Sequence, residues 1–136
     1  MPDMRINMAM DSDIKREDAL AQNPENPAPQ NIIDSLEMLK VIYYGFDNRL
    51  HSGQIVMNKN VMAEVQRFFN VALKTGFPIE KVIPVSNEKY RWNDEMSCDD
   101  NNSSGFNYRF VMGTDRMSKH AMRIAFDINP VQNINI

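Results

Sequence analysis

The sequence predicts an α+β fold with a small, mostly antiparallel sheet and flanking helices. Three observations lead there. NKNVMAEVQRFFNVALKTG has the spacing of one long amphipathic helix. VIYYGF and QIVMNK are rich in β-branched, aromatic and other apolar residues and flank a turn cluster, the pattern of a β-hairpin. The remainder consists of short apolar stretches separated by turn residues, with no internal repeat.

Residues 1–30 read as a polar tail or linker. They end in NPENPAPQ, whose prolines and asparagines favour extended chain. One marginal helix is expected at DSDIKREDALAQ, with Ser12 as its cap. The folded domain is placed at 31–136. IIDSLEMLK carries Ile32, Ile33, Leu36 and Leu39 at helical spacing. The hairpin follows, its turn spanning DNRLHSG. In the long helix, Val61, Val65, Phe68, Phe69, Ala72 and Leu73 form the apolar face. Asn58 or Asn60 serves as N-cap and Gly76 stands near C′. FPIEKVIPV predicts a short strand, SNEKYRWNDEMSCDD a polar segment with helical tendency, and NNSSG a loop. FNYRFVMG and IAFDIN predict the last strands.

Composition narrows the function classes. The 136 residues suffice for one domain with a sizeable core. The net charge of −3 and the scattered Lys and Arg give no stripe for tracking phosphates, so nucleic acid is not an expected partner. The single cysteine, Cys98, cannot form an internal disulfide, so nothing requires an oxidising compartment. The 11 methionines are spread over several segments and read as core filler. No run approaches the ~18 apolar residues of a membrane span. Asp3, Arg5, Asp11, Asp13, Lys15, Arg16, Glu17 and Asp18 leave no apolar signal-peptide core.

One constellation carries chemistry. SKHAMRIAFD places His120 and Asp127 close together in the chain. A catalytic zinc site takes three ligands from His, Asp, Glu or Cys and keeps one position open. Asp127 lies between Phe126 and Ile128, and a carboxylate in an apolar strand is costly unless paired or metal-bound. The competing reading makes Asp127 a turn cap before Asn129-Pro130 and His120 a surface residue. Spacing alone does not decide between them.

The stretch from Val41 to Asn133 resembles the VanY-type zinc D-alanyl-D-alanine carboxypeptidases, which group with D-Ala-D-Ala dipeptidases and L-alanyl-D-glutamate endolysins. Their motif S-x-H-x-x-G-x-A-x-D is met here at Ser118, His120, Ala125 and Asp127. YYGFDNRLHSGQIVMNK, FPIEKVIPV, MSCDDNNSSGFNYRFVMGTDRMSKH and DINPVQN carry the likeness in the same order. The resemblance implies a zinc peptidase-like fold and one zinc ion with His120 and Asp127 as ligands. It implies that Arg109 faces the substrate carbonyl or carboxylate, as suits its rigid charged fork, and that Ser118 shapes the loop and touches substrate. Without it, Arg109 reads as a strand-edge ion pair and Ser118 as an N-cap. The implied reaction is hydrolysis of peptidoglycan stem peptides by zinc-activated water, in the periplasm or cell envelope.

Two departures qualify the likeness. Arg123 stands where the motif has glycine. The third zinc ligand, a histidine preceded two positions earlier by the acidic base, is expected near the family's C-terminus and has no counterpart before Ile136. The other histidine, His51, reads as a turn residue. The expectation is therefore a chain lacking the family's C-terminal part, whose last strand leaves a sheet edge open to self-association. The alternative is a catalytically inactive relative that serves as a cell-wall-binding or structural module. A small interaction domain with incidental His and Asp is a third reading.

Overall fold

The elements in chain order are β1 (Ala9–Met10), α1 (Arg16–Ala19), α2 (Gln30–Asp34), β2 (Leu36–Tyr44), β3 (Leu50–Asn58), α3 (Met62–Thr75), β4 (Lys81–Val82), α4 (Asp94–Asp99) and β5 (Asn102–Ser103). A 3-10 turn, Lys59–Val61, precedes α3. The computed structural model describes residues 8–25, 27–106 and 126–132. The architecture is α+β, as expected. β2 and β3 form the long antiparallel hairpin, in register from Leu36 opposite Asn58 to Tyr44 opposite Leu50. The shorter pairings differ from expectation. β1 joins β3 in parallel, and β4 pairs β5 in parallel as a separate two-stranded sheet.

The hairpin corrects two expectations. The helix expected over IIDSLEMLK stops at Asp34, and LEMLK is strand. Leu36 and Leu39 satisfy a helical period, but pairing with β3 decides, because it buries Leu36 against Ala19 and Val56. The turn is also shorter than DNRLHSG. It closes with the Gly45 N–H on the Arg49 carbonyl (2.8 Å) and Asn48 at φ 62°, so His51, Ser52 and Gly53 belong to β3.

α3 forms as its spacing predicts. Val65, Phe69 and Ala72 share one face and pack on Val41, Tyr43, Ile55, Met57, Ile79 and Val82. Asn58 caps the 3-10 turn that leads into α3, accepting from the Asn60 N–H at 2.8 Å; α3 itself starts from Val61 without a side-chain cap. Gly76 ends the helix in the left-handed conformation at φ 73°. Burying each large side chain of this cluster contributes roughly 1.5–3 kcal/mol.

Residues 8–20 do not hang free of the domain. Ala19, Ile14 and Leu20 pack with Leu36 and Val56. Ser12 does not cap α1; its buried hydroxyl donates to Gln54 Oε1 at 2.7 Å. Gln54 also exchanges bonds with the Ile14 backbone (3.0 and 2.8 Å). A buried amide needs such partners, and the polar N-terminal segment supplies them. Arg16 adds a charged pair to Glu37 (2.6 and 3.3 Å).

His51 is a buried strand residue, not a turn residue. Its Nδ1 faces Asp11 Oδ2 at 2.8 Å and its Nε2 faces Asp47 Oδ1 at 2.9 Å, while the ring stacks on Tyr43. Burial pushes its pKa down, but the hydrogen bonds and charges of Asp47 and Asp11 outweigh this and raise it. Asp47 is held below the usual carboxylate range, chiefly by its bond to His51. Gly45 is required beside them, because a Cβ there would collide with the imidazole and with Asp47.

Two predictions follow from the imidazole clamp. His51→Ala should lower unfolding stability in urea by about 2 kcal/mol, since it leaves Asp11 and Asp47 without their shared partner. The wild-type pH profile should have two flanks. The His51 contribution is full below its unfolded pKa of about 6.5 and is lost as pH rises through the raised folded value. The Asp47 contribution is present above its unfolded pKa of about 3.8 and is lost as pH falls through the lowered folded value. His51→Gln should flatten the alkaline flank in melts from pH 6 to 9. An unchanged slope would contradict the clamp.

Candidate metal centre

Asp127 is positioned by a buried polar seam. Asn102, fully buried, accepts from the Ile83 N–H (2.8 Å) and donates to the Ile83 carbonyl (2.7 Å) and to Ser97 Oγ (3.0 Å). That fixes β5 on β4 and on α4. Ser104 then exchanges both backbone bonds with Asp127, at 3.0 and 2.9 Å. NNSSG, expected as a loop, is thus a buried two-residue strand and a bridge. Its side chains do what water would do in an exposed loop.

The DINP stretch is locked from its other end. Asn129, at φ 45°, accepts from the Glu80 N–H (3.0 Å) and donates its side-chain amide to the Pro78 carbonyl (2.9 Å) and its backbone N–H to Ser103 Oγ (3.0 Å). The Val131 N–H reaches Asn101 Oδ1 at 2.9 Å. Phe126 and Ile128 pack on the main core, and Phe126 meets Phe68 edge-on at 5.4 Å. With its neighbours committed to the core, Asp127 meets α4.

There it lies with Asp94 and Cys98. One ligand-type atom from each of the three residues lies within 4.8 Å of the others, and all three side chains are half-buried. Asp94 and Cys98 are one helical turn apart, with Cys98 Sγ 4.0 Å from Asp94 Oδ2. Asn93 starts this turn by accepting the Met96 N–H at 3.0 Å. The donor chemistry fits a zinc-type ion, which takes thiolate and carboxylate at about 2.0–2.3 Å. Closing around such an ion requires the three side chains to draw together by roughly 1 Å.

A second charged cluster borders α4. Asp100 receives Lys81 Nζ (2.9 Å), Lys89 Nζ (3.1 Å) and the Tyr90 hydroxyl (2.6 Å). Burial pushes its pKa up, but these three donors outweigh that and hold it at about 2. Burial and the Asp100 carboxylate raise the Tyr90 pKa. Asp100 is therefore a structural anion tying α4 to β4.

Of the expected site residues, Asp127 alone lies among those described. Arg109, Ser118, His120 and Arg123 lie outside them, as does the strand expected over FNYRFVMG beyond Phe106. Asp127 itself makes an isolated bridge. Asp94 and Cys98 were missed. Their i, i+4 spacing in a segment of helical tendency was the available signal. No family model, curated protein or solved structure matches the chain.

Asn102→Ala should destabilise the fold by about 2–3 kcal/mol, because it strands the Ile83 amide group and the Ser97 hydroxyl in a dry site. Chemical denaturation measures this, and a loss below about 0.5 kcal/mol would show that the seam does not hold Asp127.

Proposed function

We propose that the protein is a zinc-dependent peptidase acting on peptidoglycan stem peptides, of the D-alanyl-D-alanine carboxypeptidase type. The observation that carries this reading is the setting of Asp127. The backbone of Asp127, the aspartate of SKHAMRIAFD, is tied to Ser104 and followed by the anchored Asn129, and its carboxylate stands among two further metal-type donors. Asp127, with His120 from the motif, would hold the ion, and Asp94 and Cys98 border it. When bound, zinc would polarise the scissile carbonyl and lower the pKa of water. Arg109 would bind the substrate's carboxylate or carbonyl oxygen through its charged fork, and Ser118 would shape the adjoining loop. No helix among the described residues is long and apolar enough to cross a membrane.

A second reading, an inactive module that binds cell-wall peptides, is favoured by one observation. His51 faces a carboxylate with each ring nitrogen, so it does not offer itself as a further ligand.

The test is release of D-alanine from a stem pentapeptide ending in D-Ala-D-Ala, with zinc in excess. The peptidase reading expects zinc-dependent release that falls by about a hundredfold or more in Asp127→Asn, since loss even of an outer partner of a metal ligand costs 10–100-fold. Peptide binding without release would assign the inactive module instead.

A further inference from the structure

Away from Asp127, two adjoining cavities share one side chain. The first, about 360 Å³, lies between α1 and the loop before α4, with Ile14, Ala21 and Trp92 as apolar wall and Asp18 and Glu88 at its border. The second, also about 360 Å³, has Trp92, Arg91 and Glu25 in its lining. Each falls within the usual size of a small-ligand site.

Trp92 is held there against its backbone preference. Arg91 and Trp92 both adopt positive φ, 47° and 62°, which is costly for bulky side chains. The turn is enforced by the Arg91 N–H on the Asn87 carbonyl (2.9 Å) and the Trp92 N–H on the Val85 carbonyl (2.6 Å). The result is an indole bordering both cavities.

The chemistry of the first cavity selects a ligand class. Its neutral polar groups are engaged internally. Ser86 Oγ donates to the Ala19 carbonyl, and Asn87 accepts from the Lys89 N–H and donates to Ser12. Asp18 and Glu88 are exposed and make no ion pair among the described residues. The adjacent Lys89 is committed to Asp100 and lies over the Tyr90 ring. Two exposed carboxylates without an ion pair among the described residues, beside an indole and an aliphatic wall, suit a cation with an apolar stem.

We propose that this cavity binds the lysine-type side chain of a peptide, its ammonium between Asp18 and Glu88 and its stem along Ile14 and Trp92. The proposal stands independently of the metal centre. Trp92 is the sole tryptophan of the chain, so its fluorescence reports the site directly. Titration with Nα-acetyl-lysine amide should give a saturable change, weakened about tenfold in the Asp18→Asn/Glu88→Gln variant. Both substitutions are on the surface and leave the core intact. The Nα,Nε-diacetyl analogue, which has the stem without the charge, should give no saturable change. Equal binding of that neutral analogue, unchanged affinity in the double variant, or no response to the charged probe would each overturn the site. Pentylamine binding as tightly as the lysine derivative would overturn the assignment to a peptide.

Discussion

The Tyr43 hydroxyl joins three parts of the chain. It donates to Asp11 in the N-terminal segment and accepts from the Val82 N–H of β4 at 3.0 Å. Its ring lies in the core and stacks on His51, which bonds to the same Asp11 carboxylate. Burial and the bond to Asp11 raise the Tyr43 pKa, so the group stays a neutral donor. Gly53 lets β4 come this close, since a Cβ there would collide with the Val82 carbonyl and crowd the hydroxyl. Without this junction the hairpin, β1 and the two-stranded sheet would have no shared polar anchor.

From that junction the support reaches the candidate metal centre in short steps. Val82 lies in β4, which pairs with β5. β5 carries Asn102 and leads to Ser104, and Ser104 holds Asp127. The steps run through the buried Val82, Asn102, Ser103 and Ser104 and end on the half-buried Asp127, and satisfied bonds between buried groups let a polar seam rigidify a site rather than weaken it. The same seam carries α4, so the carboxylate and the two α4 donors are set by one framework.

Much of the fold was legible in the sequence. The hairpin, α3 with its Gly76 stop, and the helical tendency around Cys98 follow from period and capping chemistry, while Asn58 caps the 3-10 turn before α3 rather than α3 itself. What was not legible depended on pairing partners distant in sequence. LEMLK has a helical period but is a strand because β3 lies beside it. Residues 8–20 look like a tail because their polar groups, Asp11 and Ser12, serve buried partners that composition does not reveal. NNSSG reads as a loop because its burial rests on side-chain bonds to β4 and α4. For the site, the cost of a carboxylate between Phe126 and Ile128 marked Asp127, whereas Asp94 and Cys98 emerged only when α4 was seen beside it.

The measurement that tests the account most directly is anomalous diffraction at the zinc edge from crystals grown with one equivalent of zinc. A single strong peak is expected about 2.0–2.2 Å from an Asp127 carboxylate oxygen. Zinc bound elsewhere, with Asp127 left out of the coordination, would contradict it.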